Sequence, residues 1–138
     1  LGEYLGACYA GDKHRVLARS IVSSSLLDAI AAEHRLGSAQ TLTGFKWIAR
    51  TPGLVYGYEE ALGYCVNPQA VRDKDGITAA LVACQLAASA KLAGRSLLDT
   101  LDDLAVEHGL YATAPLSFRV ADPALITAAL ARLAADPP

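Results

Sequence analysis

The sequence predicts an α/β fold, a small and mostly parallel mixed sheet of about four strands with helices packed on both faces. Three observations lead there. Apolar runs of strand length alternate with stretches of helical periodicity along the chain. A strand-like run at residues 15–22 leads through three consecutive serines straight into an amphipathic stretch, the opening of a β-α-β unit. Finally, 138 residues with 53% hydrophobic and 19% charged side chains suffice for one domain with a core, and this balance excludes disorder.

The elements follow in order. Residues 3–10 are a short helix with Tyr4, Leu5 and Cys8 on one side, and residues 11–14 a turn. Residues 15–22 form the first strand. Ser25 and Asp28 have capping-box spacing before Leu26, Leu27, Ile30 and Ala31, and Gly37 is expected as the residue that ends this helix. Residues 38–43 make the second strand, residues 47–52 a loop, and residues 54–58 the third strand, which runs into Glu59 and Glu60. Residues 62–71 lack periodicity and read as an extended loop. Asp75 caps a long helix to about residue 92, with Ile77, Leu81, Cys84 and Ala88 expected inward. Ser96 and Asp99 form a second capping box for a helix through Leu97, Leu101, Leu104 and His108, closed by Gly109. Alternation of Ala112, Ala114, Leu116, Phe118 and Val120 marks residues 111–120 as a half-buried strand. Asp122 and Pro123 open a last helix by N-cap and first-turn proline.

Composition narrows the function classes. A net charge of −2 gives no footprint for nucleic acid or an anionic membrane. No apolar run approaches the roughly 20 residues that span a bilayer, and the N-terminal residues lack the basic start of a signal peptide, so a cytoplasmic location is expected. Three cysteines without a C-x-x-C pair give neither a disulfide framework nor a zinc pattern, and Cys84 is expected as a small core residue. The chain has no methionine and is expected to be an interior domain of a longer polypeptide.

Right-handed crossovers place the loops after the first three strands on one edge of the sheet, where ligands of open α/β sheets usually sit. Thr43, Gly44 and Lys46 follow the second strand and Glu59 and Glu60 the third. Adjacent carboxylates offer only acceptors, as a sugar's hydroxyls require. The alternative for both is a solvated turn. A glycosidase pair fits poorly, because consecutive residues at a strand end point to opposite faces while that chemistry needs carboxylates opposed at about 5–10 Å. Lys74 stands just before a helix start, where its ammonium and free backbone N–H groups suit a phosphate; the alternative is a surface lysine in an ion-paired turn. Asp73 and Asp75 imitate a metal-binding D-x-D, but Asp75 is more simply a cap. Trp47 is either a stacking platform or core. The three serines read as capping residues, and His14, His34 and His108 carry no assigned chemistry.

Four blocks in this order and spacing, SIVSSSLL, TLTGFKWIA, GYEEALGY and RDKDGITAA, resemble the third domain of the α-D-phosphohexomutases, the phosphoglucomutase/phosphomannomutase family. The resemblance implies a sugar-binding α/β domain over residues 1–121 and a connecting helix over residues 122–138 leading towards a fourth domain. It implies an enzyme that moves phosphate between two positions of a sugar, through a phosphoserine and a magnesium loop carried by other domains. No T-A-S-H-N-P or D-G-D-x-D-R motif lies in these residues, so no catalytic or metal-binding residue is expected here, and the isolated chain is expected to be inactive. The implied substrate-binding residues are Glu59, Glu60, Lys74, Thr43, Gly44 and Lys46, and the implied partners are a phosphorylated sugar and the other domains of the same polypeptide. The family's sugar loop is usually G-E-x-S, and here Ala61 stands where the serine is expected.

Overall fold

The computed structural model describes residues 1–137. The elements are α1 (Gly2–Cys8), β1 (Val16–Ser20), α2 (Leu26–Glu33), β2 (Gly37–Thr41), α3 (Phe45–Ile48), β3 (Leu54–Glu59), β4 (Gly63–Cys65), α4 (Gly76–Leu92), α5 (Leu97–His108) and α6 (Pro123–Ala135). The sheet order is β2-β1-β3-β4; β1 runs parallel to β2 and β3, and β4 is antiparallel to β3. Three parallel strands therefore release their chains at one edge, and β4 starts from that same edge.

Alternation on β1 divides the core. Leu17 packs with Leu5 of α1 and with Leu27, Ile30 and Ala31 of α2, while its neighbour Ala18 faces Phe45, Ile48 and Ala49 on the other side. Helices thus cover both faces, α1 and α2 one and the short α3 the other. Ala79 of α4 meets Val66 beyond β4 in the first cluster, and Leu104 of α5 packs against it.

Several local expectations change. Residues 111–120 are not a strand: the segment has no regular secondary structure, and all ten of its residues are exposed. Alternation states what a strand would bury, but a strand needs a neighbour to accept its hydrogen bonds, and among the described residues this segment pairs with none. The fourth strand is β4, inside the stretch expected as loop. Its three residues are too few to show a period. Its hairpin turn places Leu62 at φ +61, in the left-handed region where a turn signal would normally be glycine or asparagine. The loop expected over residues 47–52 begins inside the helical turn α3, which starts at Phe45 and is closed by Ala49 N–H on the Phe45 carbonyl at 2.8 Å.

The end of α2 is a Schellman motif in which Arg35, at φ +56, takes the left-handed position; Leu36 N–H bonds Ala31 O and Arg35 N–H bonds Ala32 O. Gly37 is the first residue of β2 instead. Ser25 starts α2 without a side-chain cap, and the Asp28 carboxylate that would form the reciprocal half of the box is taken by Arg19 and Ser38. By contrast Asp75 caps α4, Ser96 and Asp99 form their capping box, and Asp122 caps α6. α4 turns Ala79 and Val82 inward and leaves Ile77, Leu81 and Cys84 exposed. It is apolar almost all round, so its periodicity selects no face.

Gly53 lets the start of β3 pass β1. It sits at φ +72, and a Cβ there would lie 2.0 Å from the His14 carbonyl oxygen. Gly11 also has positive φ, +87, but faces open space. By chemical denaturation Gly53→Ala is expected to lose about 2 kcal/mol or more, and Gly11→Ala only about 1 kcal/mol, from conformation alone. Equal losses would contradict the close approach.

Candidate functional site at the sheet edge

The edge is assembled from the ends of β1, β2 and β3 and the segment ahead of α4. Glu59 is the last residue of β3 and pairs across the hairpin with Gly63, the first of β4. A Cβ on Gly63 would approach the Glu59 Cγ and the Lys74 Cδ to 2.8 Å each, so a glycine here lets both stems cross the hairpin side by side. Lys74 Nζ lies 4.0 Å from Glu59 Oε1, with Glu59 mostly enclosed and Lys74 half-exposed. The same ammonium sits 5.2 Å from the ring centroid of Phe45, the buried residue of the T-G-F-K turn. Three blocks well separated in sequence thus meet around one ammonium.

Glu60 is engaged differently. Its Oε2 accepts from Ser23 Oγ at 2.5 Å and from Ser20 Oγ at 3.3 Å, and its N–H donates to Ser23 Oγ at 3.2 Å. The Ser23 hydroxyl, the residue's own backbone and the Ser20 hydroxyl hold the Glu60 carboxyl below its ordinary range. Behind the serines lies Arg19, a buried arginine at 7% exposure. Its guanidinium donates to Asp28 Oδ2 at 2.6 and 3.0 Å and to the carbonyls of Ser20 and Ser23. Burial pushes the Asp28 carboxyl up, but hydrogen bonds from Arg19 and Ser38 and the Arg19 charge together outweigh it and leave the group below its usual value. Tyr58 adds a further tie, donating to the Ser24 carbonyl at 3.0 Å.

The remaining expected residues share this edge through topology. Thr43 is exposed just past β2, and Gly44, at φ +104, opens α3. Lys46 is exposed, with its ammonium 5.4 Å from the Trp47 ring; Arg50 flanks that ring as well, at 5.8 Å. Trp47 is therefore neither core nor a free stacking face. The backbone N–H groups expected beside Lys74 are partly spent. Asp75 Oδ1 accepts from Ile77 and Thr78, and the Lys74 N–H goes to Asp73. An anion at this point would meet the ammonium first. Among the described residues no three His, Cys, Asp or Glu side chains gather as metal ligands.

Sequence reasoning missed Ser23, Ser20 and Arg19. Helix capping accounts for the serines when only the sequence is read, and a strand arginine gives no sign that its guanidinium folds back beneath the next turn. The strict alternation that turns Arg19 towards Asp28 was the available signal.

A family model described as "Phosphoglucomutase/phosphomannomutase, alpha/beta/alpha domain III" matches residues 2–107. The chain belongs to this family. It is 45% identical over all of its 138 residues to a probable phosphomannomutase of Haemophilus influenzae, of which it spans 28%. It is 37% identical over 101 residues to a phosphoglucomutase of Staphylococcus epidermidis, with 68% of this chain and 18% of the relative covered. It is 36% identical over 109 residues to the human phosphopentomutase, with 73% and 18% covered. The fold is similar to a solved putative phosphomannomutase from Thermus thermophilus at a TM-score of 0.62, with 22% identity over 79% of this chain and 26% of that one. The chain thus spans between about a fifth and three tenths of the proteins it matches.

A carboxyl held below its ordinary value stabilises the fold at every pH above that value, 3.8 for Asp28 and 4.5 for Glu60, and the stabilisation drains as pH falls through the lower folded value. Denaturant unfolding is expected to show little carboxylate-linked change between about pH 7 and 5 and a progressive loss below about pH 4.5. Asp28→Asn is expected to flatten the acid limb; an unchanged limb would contradict the Arg19–Asp28–Ser38 assignment.

Proposed function

We propose that this chain is the sugar-recognition domain of a phosphomutase, an enzyme that interconverts sugar 1-phosphates and 6-phosphates through a phosphoserine held by another part of its polypeptide. The observation that carries the reading is the meeting of Glu59, Lys74 and Phe45 at the edge where three parallel strands end, in a chain of the phosphoglucomutase/phosphomannomutase family. Glu59 keeps only a loose ion pair among the described residues, so its oxygens remain free to accept from sugar hydroxyls. Glu60 has Oε1 left over for a second hydroxyl. Lys74 supplies the cation for a phosphate, and Thr43, Gly44 and Lys46 complete the adjoining wall with a hydroxyl, an approachable backbone and a second ammonium.

In this reading the phosphoserine gives its phosphoryl group to the free hydroxyl of the bound sugar phosphate and takes back the one at the other position, so that the net change is an isomerisation. This domain holds the sugar in both orientations. Magnesium, which the family implies, would neutralise phosphate charge during transfer. The carboxylates here do not fit it: Asp75 is spent on its cap and Asp28 on Arg19, and no step is assigned to the metal through this chain.

The reading also needs neighbours in the same polypeptide. Leu125, Ile126, Leu130 and Leu133 of α6 are all half-exposed or more, as are Leu116 and Phe118 ahead of it, and we assign these surfaces to contacts with other domains.

In the full polypeptide Glu59→Ala is expected to lower kcat/KM for the preferred sugar phosphate by about tenfold to a hundredfold, the cost of about 1.5–3 kcal/mol for hydrogen bonds to a charged group. Assay against a panel of hexose and pentose 1-phosphates measures it. An unchanged kcat/KM removes Glu59 from the site, and no turnover of any sugar phosphate by the wild type favours a binding module without catalysis.

A further inference from the structure

The carboxylate turn does not hold itself in place. Residues 60–62 join β3 to β4 through an exposed loop with Leu62 in the left-handed region, a conformation that costs a leucine about 1–2 kcal/mol. Glu59 stands at the base of that loop, opposite Gly63. What pins the loop comes from another strand: Ser23, 5% exposed, lies in the turn after β1. Its single hydroxyl both donates to Glu60 Oε2 and accepts the Glu60 N–H, gripping one residue by side chain and backbone together.

Proton counting sharpens the arrangement. Ser23 has one proton to give, and the 2.5 Å contact to a carboxylate takes it. Ser20, fully buried, has one proton too and shares it between Ser23 Oγ at 2.6 Å and, more weakly, Glu60 Oε2 at 3.3 Å. Ser23 Oγ then accepts from Ser20 and from Glu60 N–H, so its hydrogen-bonding capacity is filled. The main chain of the serine turn is fixed in turn by Arg19, which donates to the carbonyls of both serines.

We propose that Ser23 is a positioning residue for sugar recognition. By clamping both the carboxylate and the amide of Glu60 it sets the β3–β4 turn, and through the adjacent peptide it aims Glu59 across Gly63 at Lys74. Ser20 orients the Ser23 hydroxyl, and Arg19 fixes the backbone that carries both. This inference rests on the function proposed above and adds the group on which the geometry of the carboxylate turn depends.

The test uses Ser23→Ala in the full polypeptide, read by steady-state kinetics and by amide hydrogen exchange of residues 57–65. The Glu60 amide is expected to exchange at least about tenfold faster, the equivalent of about 1.4 kcal/mol, while amides of β1 and α2 keep their protection. The KM for the sugar 1-phosphate is expected to rise about tenfold with kcat within about twofold. A purely structural role would lower the folded fraction, reducing apparent kcat and leaving KM alone. Wild-type exchange at Glu60, or a loss confined to kcat, overturns the inference. Should Ser23→Ala not fold, Glu60→Ala replaces it and is read by exchange alone, since Glu60 is itself assigned a sugar hydroxyl: faster exchange at residues 61–63 supports the clamp, and wild-type exchange there overturns it. The two readings separate cleanly. If Glu59→Ala retains full kcat/KM, the sugar-binding role fails while the exchange result still decides the clamp; if Glu59→Ala is impaired and Ser23→Ala is wild-type in both readouts, only the clamp fails.

Discussion

A buried guanidinium organises the edge where the parallel strands end. Arg19 leaves β1 in the middle of the sheet, and burying its charge is tolerable only because Asp28 and two main-chain carbonyls meet it. Satisfying the arginine shapes the serine turn after β1, and the turn in turn presents the hydroxyls that hold Glu60. One charge, placed where a strand ends, thereby links the start of α2, the end of β1 and the β3–β4 hairpin. Without that charge the hairpin would be a short, exposed turn with an unfavourable leucine at its tip.

The layout of the site follows from topology more than from any single contact. Parallel pairing of β1 with β2 and β3 brings three strand ends to one side, the antiparallel β4 leads away from it, and the segment ahead of α4 returns Lys74 to it beside Gly63. Gly63 then allows the Glu59 and Lys74 stems to run together. A methyl group there would push against both, so the acidic turn and the basic segment are set by the same missing side chain. The ammonium ends half-exposed, 4.0 Å from the Glu59 carboxylate, 3.8 Å from that of Asp73, and over the Phe45 ring.

Much of this was legible in the sequence, because the features that carried information were local. Asp75, Ser96 with Asp99, and Asp122 with Pro123 announced their helices by capping chemistry that needs no tertiary partner. The first and third parallel strands stood out as largely apolar runs, and the order of the three implied a common edge. What could not be read depended on partners far along the chain. Asp28 has the spacing of a capping box but serves Arg19, nine residues earlier. Leu62 and Arg35 adopt left-handed conformations that glycine would have signalled. Residues 111–120 carry a strand's alternation without a strand beside them, and α4 is apolar on every side, so only packing decides which residues turn inward. Within the site, Glu59 and Lys74 were visible as residue types near glycines, whereas the hydrogen bonds between Ser23 and Glu60 join residues 37 apart and leave no local mark in the sequence.

The relatives include a probable phosphomannomutase, a phosphoglucomutase and a phosphopentomutase. The central claim is that Glu59 and Lys74 form one receptor, the first for hydroxyls and the second for phosphate. A crystal structure of the full polypeptide with a bound sugar 1-phosphate tests it most directly. The account predicts the Glu59 carboxylate within hydrogen-bonding distance of at least one ring hydroxyl, with the Lys74 ammonium on a phosphate oxygen of the same ligand. A sugar bound elsewhere, with Glu59 and Lys74 still paired to each other, would contradict it.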